Sequence, residues 1–420
     1  MSELAVELYG HRIGVLSGDN FRSFDIDLDP AAIAHFGSSS QVMSMAVPLD
    51  AMRNRGHAGR RRNFFAGLLP EGTQLESMAR NAQLNQFDIL GLLARYGRDV
   101  AGAIQVWDIN DSSEPRTPRT EHVTDSNVSE MLQDLSGQPL GNMQQGGKTS
   151  LPGVQPKIVL AQTRNGWARV VDGYPSTHIL KPVVEKYPTM IFDEEYGSRF
   201  ARGLGLAHFS TTLQTFDNID ALVVERYDRD AAHPGGRIHQ EDLVQALGVP
   251  TIEKYEKYGA VTLKRISRLL DDTDGLNSRR TLAQMLTLSV ALGNLDMHAK
   301  NISLLHAEDG SISIAPMYDV VPQTQYETDG ELAFRVNGVL SHAAVTRADL
   351  AAEIRSWGYG PPVALINETL EAIRAVARAE TPHASAEPTI QDAILGFTQN
   401  LLDGRAAGSF VQIDNGIVKP

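Results

Sequence analysis

Gly293-Asn294-Leu295-Asp296-Met297-His298-Ala299-Lys300-Asn301, followed after two short apolar runs by Met317-Tyr318-Asp319, is the stretch on which the fold turns. An aspartate, an asparagine five positions on, and a second aspartate beyond a hairpin form the layout of a kinase phosphotransfer loop. In that layout Asp296 orients the attacking hydroxyl and accepts its proton. Asn301 and Asp319 are the oxygen donors that suit Mg²⁺ on nucleotide phosphates. Lys300, close to the base, is placed to neutralise charge on the transferred group. Aspartate and asparagine also cap ordinary turns, so the loop draws its weight from the rest of the chain.

Upstream, Thr177-His178-Ile179-Leu180 reads as a strand ending on Lys181, where a kinase places the lysine that reaches the phosphates. Glu194 or Glu195, on the next predicted helix, is positioned to orient it. Ser150-Leu151-Pro152-Gly153-Val154-Gln155-Pro156-Lys157 precedes the strands, where a phosphate-covering loop belongs, although it is glycine-poor for that role. Val223-Val224-Glu225-Arg226-Tyr227 ends an apolar strand just before the helical half, and a hinge there offers backbone groups to adenine. His298 beside Asp296, with Asp319, raises a metal hydrolase as an alternative. With no second histidine at helical spacing and no H-E-x-x-H, His298 reads instead as a loop-stabilising residue.

The chain around these motifs divides into a strand-rich half and a helical half. Residues 4–9 and 12–16 alternate about Gly10-His11 as a hairpin does, and 24–29 alternate again. Helical periodicity follows at 64–69, 73–82 and 87–96, and 104–106 reads as a closing strand. Residues 109–127 are polar and proline-bearing, a surface connection. Residues 144–150 read as a second flexible segment. A meander is expected at 157–161, 167–171 and 177–180, a helix at 190–204, and strands at 210–216 and 221–225. From about 240 onward helices dominate (240–247, 261–270, 279–292 and several beyond 347), with one clear strand pair at 302–305 and 311–315. The expectation is an α+β, bilobal protein-kinase-like fold with an added α/β subdomain. Its parts are residues 1–110, an ATP-covering lobe at 128–240, and a mainly helical lobe at 241–420.

Bulk composition agrees with an enzyme of this size. The 420 residues have 42% apolar and 21% charged content, the balance of a globular protein with a sizeable core. No run of about 18 apolar residues is present, so no membrane helix is expected. The N-terminus lacks the form of a signal peptide. With no cysteine there is no thiol nucleophile and no disulfide; a cytoplasmic location is the simplest expectation. A net charge of −13 argues against non-specific DNA binding, which requires neutralised phosphates. Arg53, Arg55, Arg60, Arg61 and Arg62 form one local exception, either a solvated surface or a contact for an acidic partner.

Seven separated motifs, in order, resemble those of the HipA toxins, serine/threonine kinases of bacterial type II toxin–antitoxin modules. They are Phe64 to Pro70, Tyr96 to Ala103, Ser150 to Lys157, His178 to Lys181, Val224 to Asp228, Asp296 to Asn301, and Tyr318-Asp319. The resemblance spans nearly the whole chain. It implies ATP and Mg²⁺ as cofactors, with Asp296 as catalytic base and Asn301 and Asp319 as Mg²⁺ ligands. Lys181 would bind phosphates, assisted in the nucleotide site by His298, Lys300 and Tyr318. Pro152, Gly153, Val154, Gln155, Pro156 and Lys157 would cover ATP, and Glu225, Arg226 and Tyr227 would form the adenine hinge. Ser150 matches the serine that family members autophosphorylate, which ejects the loop and silences the kinase. The family also implies a small helix-turn-helix antitoxin of HipB type, with operator DNA reached mainly through it. Its protein substrates include an aminoacyl-tRNA synthetase for glutamate in some homologues and other targets elsewhere. Pro152 and Pro156 depart from the better-known loop. Two other readings compete: a small-molecule phosphotransferase, and a catalytically silent co-repressor module.

Overall fold

Apolar strands at Leu4–Leu8 and His11–Gly18, joined by a tight turn, open an antiparallel sheet. It is ordered Phe24–Leu28, His11–Gly18, Leu4–Leu8, Gln105–Asp108. Helices Ala58–Ala66, Gly72–Ala82 and Ile89–Tyr96 supply Phe64, Phe65, Met78, Leu92 and Leu93 to the core that holds Leu4, Val6 and Ile26. Each such side chain stabilises by about 1.5–3 kcal/mol on burial. The last helix starts where the Asp88 carboxylate accepts the Gly91 N–H, a side-chain cap on an otherwise orphaned donor.

The computed structural model describes residues 3–18, 23–50, 55–143, 146–259, 261–409, 411–413 and 416–418. Two compact units result. The first comprises Met1–Pro182, Thr212–Thr251 and Leu304–Ser311; the second comprises Val183–Thr211, Ile252–Ser303 and Ile312–Pro420. The first unit also carries a six-stranded sheet ordered Arg119–His122, Gly166–Val171, Ile158–Thr163, His178–Pro182, Ile219–Glu225, Thr211–Phe216. One of its faces buries Ile158, Leu160, Leu180 and Val223 over the helix Asp125–Gln133, which contributes Val128 and Met131.

In the second unit the helix Leu276–Leu292 is central and mostly buried. Pro362–Ala379, Ile390–Leu402, Arg347–Ser356 and Met190–Gly203 pack against it. It ends at Gly293, whose φ of +68° is left-handed, with its N–H returned to the Ser289 and Val290 carbonyls. A side chain there would be strained, and an added Cβ would also press on Thr324. This cap delivers the chain directly into the Asp296 loop. No described helix is long and apolar enough to cross a membrane.

The structure corrects four expectations. Residues 109–127 contain the strand Arg119–His122, paired with Gly166–Val171; an edge strand needs no apolar run, which is why it escaped. Residues 240–247 open as the strand His239–Asp242 and only then turn into the four-residue helix Leu243–Ala246, capped by Asp242. The helical half holds further strand pairs, Glu331–Val336 with Val339–Ser341 and Val411–Ile413 with Gly416–Val418. Of the segment expected to be flexible, Gln144 and Gln145 lie outside the described residues. The remainder is pinned: Lys148 carbonyl oxygen accepts from the Arg98 and Asp99 N–H groups, and the Asn142 amide brackets Thr149.

Candidate active site

Ser150 is fully buried in the first unit. Its N–H donates to the Asp99 carbonyl at 2.9 Å and its Oγ to the Leu68 carbonyl at 2.8 Å. Leu151 beside it joins the N-terminal core. The loop that follows turns at Gly153 (φ +114°), whose carbonyl accepts the Glu71 N–H. Lys157 is buried and donates from Nζ to the Pro152 carbonyl at 2.7 Å, closing the loop on itself. Val154 at the tip is exposed, with Gln155 and Pro156 half-buried behind it.

Lys181 owes its position to strand alternation. Leu180 points into the sheet's core, so Lys181 takes the opposite face, at the register position across from Leu222. The residue is only 4% exposed. An ammonium that deep requires anionic company.

The hinge residues are more committed than their sequence suggests. The Arg226 N–H donates to the Thr177 carbonyl at 2.9 Å. The Arg226 guanidinium is buried and spans Asp228 (2.7 and 2.9 Å), the Ser176 hydroxyl and the Val100 carbonyl. Arg229 bridges Asp99 and Asp228 at 2.9 and 3.0 Å. Burial pushes the Asp228 carboxyl up, but the two guanidiniums outweigh it and hold it well below the usual carboxylate range. Tyr227 is tied by its hydroxyl to the Gln240 side chain, and Glu225 is exposed at the strand end.

The second unit holds the Asp296 loop. Asp296 N–H is capped by the Asn294 side chain at 3.1 Å. Its carbonyl accepts both the His298 N–H and the Asn301 Nδ2, each at 2.7 Å. With Nδ2 so used, Oδ1 of Asn301 is the atom left to face a cation. Lys300 is buried, and the Tyr318 hydroxyl donates to its carbonyl while contacting Ser303 Oγ, both at 2.7 Å. Tyr318 therefore ties the Asp319 segment to the loop. Asp319 itself adopts φ +53°, a conformation that aspartate tolerates better than most residues. Gly197 on the helix Met190–Gly203 is obligatory for this arrangement, because a Cβ there would collide with the Val320 carbonyl. His298 lies 3.9 Å from Asp296 and edge-on to Tyr255 at 5.0 Å. It belongs to none of the histidine–carboxylate groups that could hold a metal among the described residues.

Sequence reasoning missed Tyr255, whose hydroxyl donates to Asp296 Oδ1 at 2.6 Å. It lies 41 residues upstream, and no spacing rule links the two. Asp193 was missed as well: it gathers Thr189, Tyr326 and the Glu387 N–H at 2.6–2.8 Å. Burial, with that carboxylate beside it, pushes the Tyr326 hydroxyl up. Glu195 is held by Arg199 at 2.7 Å, while Glu194 is buried within the same helix. Of the arginine cluster, Arg61 is spent on Asp25 at 2.6 Å; Arg53 and the Arg55 side chain lie outside the described residues.

A strand-supported buried lysine, an Asp-x-x-x-x-Asn loop beneath a glycine-capped helix, and a later aspartate in left-handed conformation define the class, a kinase-like protein. Among families, the HipA-like C-terminal domain matches residues 149–381 and the HipA N-terminal domain residues 4–107. The chain belongs to the HipA family. It is 32% identical over 334 residues to Y4mE, a candidate kinase of Sinorhizobium fredii, covering 75% of this chain and 78% of that one. It is 26% identical over 355 residues to the serine/threonine-protein kinase toxin HipA of Shewanella oneidensis, covering 80% of each. A chain in the structure of the Shewanella oneidensis HipA, HipB and operator DNA complex shares the fold. There the TM-score is 0.76 at 24% identity, covering 98% of this chain and all of that one.

Proposed function

We propose that this chain is an ATP- and Mg²⁺-dependent protein serine/threonine kinase, a growth-arresting toxin controlled by autophosphorylation and by an antitoxin. The observation that carries the reading is the Asp296 loop. Asp296 Oδ1 already accepts a hydroxyl at 2.6 Å, while Asn301 is locked to the same residue's carbonyl with Oδ1 left over. The donor set fits a hard cation: an amide oxygen from Asn301 and a carboxylate from Asp319, with no sulfur or imidazole required. Buried Lys181 fits an anionic ligand.

Bound ATP with Mg²⁺ supplies the phosphoryl group. Asp296 orients the acceptor hydroxyl and takes its proton as the acceptor oxygen gains the P–O bond and the bond to ADP breaks. Lys181 and the 152–157 loop hold the phosphates, and Lys300 offsets charge near the base. Family membership supports Glu225 to Tyr227 as the adenine edge, acting through backbone and Tyr227, since the Arg226 side chain is committed elsewhere. A phosphate on Ser150 would face the Leu68 carbonyl in a site with no room for a dianion. Phosphorylation is thereby expected to keep the loop out, which favours self-inactivation. The neighbouring complex supports a HipB-like antitoxin that carries operator DNA, met in the cytoplasm.

The test is intact-mass analysis after incubation with ATP and Mg²⁺. One phosphate on Ser150 in the wild type, and none in Asp296→Gln, is expected. A folded wild type that stays unmodified would overturn the proposal. Phosphate appearing only on a small acceptor would point to the small-molecule reading, and no ATP binding to the silent co-repressor.

A further inference from the structure

A cavity of about 420 Å³ opens on Asp296 within the second unit. Its volume is at the low end for ligand sites, enough for a hydroxyl-bearing residue and a neighbour. Tyr255 marks where a hydroxyl sits in it, 2.6 Å from Asp296 Oδ1.

The walls are aromatic and acidic. Rings of Tyr187, Tyr258 and Tyr326 line it, and Tyr258 is 63% exposed. Asp329 and Glu331 also line it, both held by Lys257 at 2.8 and 3.1 Å. Counting Asp296, three carboxylates face one ammonium. Lys186 and Lys254 lie over the Tyr187 and Tyr255 rings but are not part of the lining. Carboxylates beside tyrosine faces attract a cation both through charge and through the ring quadrupole.

We propose that this cavity is the acceptor site and selects a serine or threonine with a lysine or arginine within a few residues of it. The inference rests on the kinase reading and names its substrate class. The chain's own candidate acceptor fits, since Lys148-Thr149-Ser150 carries a lysine two positions before the serine. In the folded first unit Lys148 is paired with Glu114 at 2.7 Å, so that segment can be read only once released. Lys257 acts as an internal stand-in for the acceptor's cation, tying up the carboxylates while the site is empty.

The experiment uses peptides copying residues 146–156, with Lys148 kept, replaced by norleucine, or replaced by glutamate. Binding is measured by fluorescence anisotropy without nucleotide, and kcat/KM by phosphate transfer. The wild-type enzyme is expected to favour the lysine peptide over norleucine by about fivefold, the upper range for an exposed charge pair, and to reject glutamate. Asp329→Asn with Glu331→Gln is expected to abolish the preference. Lys257→Met is expected to enlarge it, a sign reversal that general loss of structure would not produce. If the wild type labels neither Ser150 nor any peptide, the kinase reading fails and this proposal with it. If labelling is Asp296-dependent but indifferent to the residue at 148, the proposal alone is overturned; phosphate appearing only on cationic small molecules overturns the protein-kinase reading as well.

Discussion

Replacing Arg226 by methionine should cost the protein a large share of its stability. Arg226 is 3% exposed, and Asp99 and Asp228 are 0% and 2% exposed. Methionine keeps the volume but removes four hydrogen bonds: two to Asp228, one to the Ser176 hydroxyl and one to the Val100 carbonyl. Breaking a buried pair by deleting one partner typically costs about 3–5 kcal/mol. Arg229 remains within 2.9 Å of Asp99 and 3.0 Å of Asp228, which places the expected loss near the lower end, about 3 kcal/mol. Against a typical total of about 5–15 kcal/mol, that is severe. Urea denaturation followed by Trp107 and Trp167 fluorescence measures it, as a lower midpoint at unchanged slope. A loss under about 1 kcal/mol would refute the reasoning that Arg226 is a core ion rather than a hinge side chain.

Three further perturbations are informative. His239 is buried, and burial with His306 nearby lowers it to about 3; its Nε2 lies 2.7 Å from the Met43 carbonyl and Nδ1 accepts from Ala103 N–H, the pattern of a neutral ring. The unfolded chain binds a proton below about 6.5 that the folded chain refuses, so this stability is complete above 6.5 and drains away as pH falls towards 3, by up to about 1.4 kcal/mol per pH unit. Urea midpoints from pH 7 to 4 should flatten in His239→Gln; an unchanged slope would contradict it. Gly197→Ala should push the Val320 carbonyl away and misplace Asp319, weakening Mg²⁺-dependent nucleotide binding in calorimetry far more than it lowers the melting temperature. Tyr255→Phe removes a hydroxyl that the acceptor must otherwise displace, so the acceptor KM should fall about three- to tenfold with kcat intact; a tenfold fall in kcat instead would make Tyr255 an orienter of the base.

Much of the site was legible because it is local. Alternation about Leu180 places Lys181 on the face away from the core, and the Gly293 cap sets the start of the Asp296 loop. Both are rules of a few residues' reach. What escaped is non-local or deliberately ordinary. The Asp99–Arg226 contact joins residues 127 positions apart, and Tyr255 reaches Asp296 across 41, distances over which spacing carries no information. Arg119–His122 is an edge strand whose side chains meet solvent, so no apolar pattern announces it. At residues 240–247 the apolar spacing reflects a short strand running into a capped turn, two elements that together mimic one helix. The same non-locality explains Arg226: its neighbours Glu225 and Tyr227 suggested a hinge, and only the fold reveals the buried carboxylates its side chain serves.

The proposed function requires Asp296 to be the base of a protein kinase. Phosphoproteomics after brief expression of the wild type and of Asp296→Gln tests it most directly. New phosphoserine or phosphothreonine is expected on Ser150 and on a small set of cellular proteins, with basic residues near the modified site, in the wild type alone. Identical phosphoproteomes from the two, with both proteins folded and expressed, would contradict it.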